Sequence, residues 1–521
     1  MNRNGRSTGS TGSTIKFKGP TSQAPLSPES CAQYINAYFD EVHPLYPFLD
    51  RKEFEEKARQ PQLSEFLKLN APFSALYHSV LALGCQFREE GAFDPGKGKA
   101  WTYFQIALGL LPELMIPQET LTGVQSIFAT SLSCIQIEEM LISEAARMAL
   151  ALRYNRASPL AGDNPFQGRT FWVIYTVEKM IAFECGRSSV ISDYDVGTPI
   201  PEAPEAVFDG YDDFLSSARF ARLRSQAYEK LFSISATLNS SEQHRIAIAS
   251  VIDDLERWRM SIPLEFRPGE PFRTQHMSNR CRLTAALRTY FSYYAMLIAV
   301  SRLALQVDAD APCAQRQETK NTLMQAARHV IELTRYIDTK AYTQIWILGV
   351  MPLSALFILF DLVVHNPTHT ETRNNLALLD VAAGHFSRLE YATGGSLPSS
   401  QLSEFAYIAR QYVREVQTGI RLTSTSTTRD TPTIAPDVPS IPQTSPVDDR
   451  MAPAFQVSPA QSYPTRTNSS TITTPNRSDL LHYPNDNFNW IGSPEIPVGF
   501  DMRNFFDSLL PSYETMMSED V

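Results

Sequence analysis

Between residues 30 and 422 the sequence predicts an all-α fold, a large multi-helix domain of about a dozen helices, on three observations. Apolar residues recur with the 3.6-residue period of a helix, strand-type alternation is scarce, and most periodic runs end at proline, glycine or a polar cluster. With 43% apolar and 11% aromatic residues among 521, the chain can bury a large core, as one extended or two intimately packed domains.

Residues 1–29 are Ser, Thr and Gly repeats with Arg3, Arg6, Lys16 and Lys18 set against Glu29, and are expected to be disordered. The stretch 27–54, SPESCAQYINAYFDEVHPLYPFLDRKEF, reads as neither a clean helix nor a clean strand. Its prolines fix the chain direction and its aromatics fill a seam, so VHPLYPFL is expected to dock a helix end onto the core. In 73–87, Leu76, Val80 and Leu83 fall on one stripe, widened by Tyr77 and Leu81; the run 99–111 is expected to stop at Pro112. Further helical runs occupy 121–141, 143–153, 168–185, 215–238, 243–260, 279–306, 319–338, 345–364, 372–392 and 400–421. From 186 to 205 prolines at 199, 201 and 204 and glycines at 186 and 197 exclude helix, leaving an ordered extended crossing or a surface loop. The twenty residues 345–364 are apolar enough to span a membrane. Asp361, Pro352 and Gly349 inside them and the lack of flanking basic clusters make them a buried core helix, so no membrane is expected.

The composition changes at 423. The remaining residues hold 13 of the 35 prolines; 423–484 reads as a disordered Ser/Thr/Pro-rich linker and 485–521 as an acidic-aromatic segment. In that last segment seven acids and one arginine surround Phe488, Trp490, Phe505, Phe506, Leu509 and Leu510. Acids that hold aromatics in water leave them free to enter a coactivator groove, and Phe505 and Leu509, like Phe506 and Leu510, are four apart as on one helix face.

A net charge of −10 and a pI near 5.5 argue against a chain-wide electrostatic grip on nucleic acid. The six cysteines, 32 to 96 residues apart with no CxxC pair, read as free thiols of a reducing compartment, and the N-terminus has no apolar secretion signal. No Gly-x-Ser-x-Gly, phosphate loop or His-Glu-x-x-His is found, and the lysine-bearing GAFDPGKGK (91–99) reads as a solvated loop, so no catalytic residues, no metal ligands and no enzyme are expected.

YFDEVHPLYPFLDRKEF (38–54), SEAARMALALRYNR (143–156) and above all GRTFWVIYTVEKMIAFECGRSSVISDYDVGTPIPE (168–202) resemble the fungal-specific transcription factor domain, the helical regulatory region of zinc-cluster fungal transcription factors. The resemblance covers roughly 30–420. Its signature residues here are Tyr38, Phe39, His43, Pro44, Phe48, Arg147, Arg169, Phe171, Trp172, Gly186, Arg187, Asp193, Asp195, Pro199 and Pro201. Where the family usually has Gly-Leu-His-Arg this chain has Arg153-Tyr154-Asn155-Arg156. A binuclear zinc cluster needs six closely spaced thiolates, yet Cys31 is the only cysteine among the first 84 residues.

The signature residues read as structural. Arg169 starts a helix with Phe171 and Trp172 packed inward and is expected to pair with Asp193 or Asp195; its alternative is a pocket for an acidic effector. Gly186 reads as a helix C-cap, with Arg187 beside the last carbonyls. The resemblance implies a nuclear regulator of RNA polymerase II transcription, an activator of a metabolic or secondary-metabolite pathway. It would work through the helical domain and acidic tail, reach DNA through a DNA-binding partner protein, and recruit a coactivator. A small-molecule effector and homo- or heterodimerisation fit this expectation. A second expectation is a truncated zinc-cluster DNA-binding factor whose cluster precedes Met1, the one case that brings in zinc as a cofactor. A third is an all-α small-molecule-binding protein or enzyme with an apolar pocket.

Overall fold

The computed structural model describes residues 27–418 apart from 90, 94–96, 116–119, 133–137, 158–163, 274–278, 308–311 and 396–401. Among the described residues there are sixteen α-helices and one two-residue hairpin, β1 (Val207–Phe208) with β2 (Tyr211–Asp212). The segments 1–26 and 419–521, and with them Phe488, Trp490, Phe505, Phe506, Leu509 and Leu510, lie outside the described residues.

The opening stretch is a helix after all. In α1 (Pro28–Glu41) Ser27 accepts from the Ser30 N–H and Pro28 occupies the first turn, where its missing N–H costs nothing. The face it buries, Tyr34, Ile35, Tyr38 and Phe39, is narrow and aromatic, which hid the period. The turn after it returns the chain through buried Val42, His43, Tyr46, Phe48 and Leu49 into α2 (Arg51–Ala58), capped by Asp50, and the short α3 (Leu63–Leu69). These three helices were not legible as such. The next, α4 (Ala71–Arg88), is buried along most of its length. It runs so close to α1 that a Cβ on Gly84 would sit 1.9 Å from the Tyr34 carbonyl oxygen.

Several boundaries differ from the sequence expectation for local reasons. The run 99–111 breaks one residue earlier into α5 (Lys99–Gly109) and α6 (Leu111–Met115), because Pro112 is tolerated in the first turn of a new helix. The run 121–141 is α7 (Leu121–Ser131), and α8 (Glu138–Ala151) takes its end together with 143–153. Then come α9 (Pro165–Glu184), the extended crossing 186–203, and α10 (Asp213–Ala227), which ends in a π turn, Tyr228–Phe232, rather than continuing to 238. The remaining helices are α11 (Ser241–Met260), with a full capping box between Ser240 and Gln243, α12 (Arg280–Val307), α13 (Cys313–Leu333), α14 (Met351–His365), α15 (Thr372–Ala392) and α16 (Leu402–Thr418).

The segment Trp346–His365, a π turn leading into α14, is long and apolar enough to cross a membrane, but it is mostly buried within the protein. Pro352 removes the N–H that would bond the Leu348 carbonyl four residues back. His385 of α15 replaces it: its Nε2 donates to Leu348 O at 2.7 Å.

Two apolar clusters form the interior. The first gathers α1, α4, α5, α7, α8 and α9 around Tyr38, Phe48, Phe128, Phe171 and Trp172. The second gathers α11 to α16 around Trp258, Phe266, Phe291, Leu348 and Phe386. Helix α10 belongs to both, with Phe214, Ala218 and Ala221 in the first and Phe220, Leu223 and Ala227 in the second.

Candidate functional site

Two features stand out: a clamp made by the signature residues, and a cavity at the seam between the clusters. In the clamp, α9 holds the crossing segment rung by rung. Arg169 donates through Nε to the Glu202 carbonyl at 2.9 Å and through Nη1 to Glu205 Oε1 at 2.6 Å, while His43 Nε2 lies 3.3 Å from the same carboxylate oxygen. The expected pairing of Arg169 with Asp193 or Asp195 is therefore corrected. Glu205 takes that charge, so Arg169 is spent within the fold rather than set aside for an acidic effector. Burial raises the Glu205 pKa, but the His43 hydrogen bond, its own backbone N–H and the Arg169 charge together hold it below the ordinary carboxylate range.

One turn on, Trp172 Nε1 donates to Pro199 O at 2.9 Å, and Pro201 packs over Gly168. Tyr175 donates to Asp193 Oδ1 at 2.8 Å. Lys179, 3% exposed, reaches the same Asp193 oxygen at 3.1 Å and donates to Ile191 O and Ser225 Oγ. Glu178 accepts from Val190 N–H at 2.7 Å and from the Ser189 hydroxyl at 2.6 Å, although burial pushes its pKa up. Phe171 is fully buried beneath this row. Asn155 grips the other side of the segment: its Nδ2 donates to Asp195 O at 2.8 Å, and its carbonyl accepts from Gly197 and Thr198 N–H.

Gly186 closes α9 at φ 63°, and Arg187 N–H bonds back to Ala182 O, the six-to-one bond of a Schellman cap. The Arg187 side chain pairs with Glu139 and not with the last carbonyls, which corrects that expectation. Arg147 is half exposed and pairs with Glu144 one turn before it on α8. Tyr38 and Phe39 are buried and in edge contact, Phe48 packs edge-on against Phe128 at 4.9 Å, and Pro44 is partly buried in the turn. Tyr175, Glu178, Lys179, Glu205 and Asn155 are clamp residues that the sequence did not single out; a carboxylate 36 positions from Arg169 leaves no periodic trace.

The seam cavity holds about 160 Å³. The end of α1, α4, α5, α12 and the segment 341–347 wall it, with Phe87, Trp101, Phe104 and Tyr342 facing in. Phe87 and Tyr342 stack at 4.3 Å, and Gln344 Nε2 donates to the Tyr46 hydroxyl at 2.7 Å, tying the two clusters across it. Cys281 Sγ lies 3.2 Å from both the Asp40 and Glu41 carbonyls, and burial pushes its thiol up to about 12. Among the described residues no group of three or more His, Cys, Asp or Glu stands close enough to hold a metal ion.

Residues 35–267 match the family described as the fungal specific transcription factor domain. An ABC-transporter-regulating transcription factor of Aspergillus fumigatus is 26% identical over 402 residues, covering 70% of this chain and 44% of that protein; one of the same name from Aspergillus oryzae matches to the same extent. The fusaridione A cluster transcription factor fsdR of Fusarium heterosporum is 25% identical over 390 residues, covering 70% of this chain and 72% of its own length. The match thus spans less than half of the two Aspergillus relatives. No solved structure matches.

Proposed function

Taking residues 35–267 as the fungal specific transcription factor domain that they match, we propose that this protein is a fungal regulator of RNA polymerase II transcription that acts in the nucleus by being bound rather than by catalysis. The domain match is the observation that carries this reading. The fold is consistent with it: two packed helical clusters joined through α10 offer a body whose arrangement a partner can bias. The acidic-aromatic residues 485–521 are the activating surface, presented to a coactivator. DNA is reached through a DNA-binding partner protein. The names of the relatives make ABC-transporter genes and secondary-metabolite clusters the first targets to test.

A second reading is favoured by one observation, the greater length of the Aspergillus relatives: a longer form of this protein reads DNA itself through a zinc cluster. The test is a reporter assay with the full chain fused to a heterologous DNA-binding module. Reporter output is expected to rise, and to fall toward baseline when Phe505 and Phe506 are both changed to Ala. Output equal to that of the module alone would sink the activating role.

A further inference from the structure

We propose that the seam cavity binds a small, neutral, planar aromatic molecule that donates one hydrogen bond to Gln344 Oε1. The size fits: an apolar cavity of about 150 Å³ takes benzene, and this one offers about 160 Å³. Its walls include the rings of Phe87, Trp101, Phe104 and Tyr342, which favour a flat π-system over an aliphatic chain. Its charges balance, since the acids Glu41 and Glu138 stand with the bases Lys97 and Arg288, so neither an anion nor a cation is selected. Arg288 is moreover committed, with its guanidinium 5.0 Å over the Tyr46 ring and its Nη1 toward Leu45 O.

Three polar atoms of wall residues are buried without a hydrogen-bond partner, the acceptor Gln344 Oε1 and the donors Trp101 Nε1 and Trp346 Nε1. A buried acceptor left unpaired is costly, and a guest carrying N–H or O–H satisfies the Gln344 oxygen, whose amide nitrogen is already fixed by Tyr46. Because Phe87 and Trp101 belong to the first half of the chain and Gln344 and Tyr342 to the second, an occupant touches both clusters and favours the arrangement in which they close on it. The site goes beyond the transcriptional reading and is tested without it.

The experiment is isothermal titration of the purified full chain with indole and with 1-methylindole, which has the same shape and no N–H. Indole is expected to bind, and 1-methylindole about tenfold more weakly, the worth of one hydrogen bond. Gln344→Leu is expected to abolish that preference while both compounds still bind. Thr284→Phe, which fills the cavity from α12, is expected to abolish binding of both, with Met180→Phe as the second filling variant if the first does not fold by circular dichroism. No heat of binding for indole at millimolar concentration, binding that survives a folded filling variant, or a preference unchanged in Gln344→Leu would each overturn the proposal.

Discussion

Arg153 stands at φ 61°, in the left-handed region where a side chain is strained and glycine is not, and it does so at the position where the related motif usually carries glycine. It is the C′ residue that lets Tyr154 N–H bond back to Ala149 O and close α8. Arg153→Gly is therefore expected to raise stability by about 1 kcal/mol, read as a higher urea midpoint at unchanged slope. At Arg169, 9% exposed, the sign is opposite. Arg169→Met leaves Glu205 half-buried with only His43 beside it and frees the Glu202 carbonyl, at an expected cost of about 2 kcal/mol. Glu205 is held below its ordinary pKa in the folded protein, so its contribution is present above about pH 4.3 and is lost as pH falls through the folded value. The destabilisation by Arg169→Met, measured by urea unfolding, should accordingly shrink below that pH. The tie between Arg169 and an acid was legible in the sequence, because a buried guanidinium needs a partner. Which acid was not, because the choice is made by how the crossing segment lies on α9.

At the scale of elements, α14 and α15 show how a proline in an apolar helix is compensated. Pro352 has no N–H to offer Leu348 O four residues back, and His385, 1% exposed, donates to that carbonyl. His385→Phe should cost about 2 kcal/mol, and less in a Pro352→Ala background, where the restored N–H competes for the same carbonyl; equal costs in the two backgrounds would refute the compensation. Burial lowers the pKa of His385 to about 4, and it does the same for His78, whose Nδ1 donates to Ser74 O. Both stay neutral in the fold and gain a proton on unfolding below pH 6.5. Stability is thus expected to fall between about pH 6.5 and 4, each histidine adding about 1.4 kcal/mol per pH unit to the slope, and His385→Phe should remove one share. The close approach of α1 and α4 is equally testable: Gly84→Ala drives a methyl into the Tyr34 carbonyl, and a loss of more than about 3 kcal/mol, or failure to fold, is expected. The long periodic helices α11, α12 and α15 were readable to within one or two residues. The aromatic α1 and the short α2 and α3 were not, since one or two turns carry too little period to separate from a turn-rich stretch.

At the scale of the whole molecule, the described residues form two aromatic-rich clusters that share α10 and are stitched across the seam by Gln344–Tyr46, Phe87–Tyr342 and Arg280–Glu41. Composition left one extended or two packed domains open, and the signature block resembles the domain that residues 35–267 match, but the seam and its cavity arise from residues some 300 positions apart, which no local pattern encodes. The central claim is that the chain regulates transcription, and chromatin association measures it most directly. Cross-linked and sequenced from cells expressing the full chain, it is expected to be enriched at a discrete set of promoters whose transcripts change when the gene is deleted. A flat distribution along the genome, with no transcript altered by the deletion, would contradict the account.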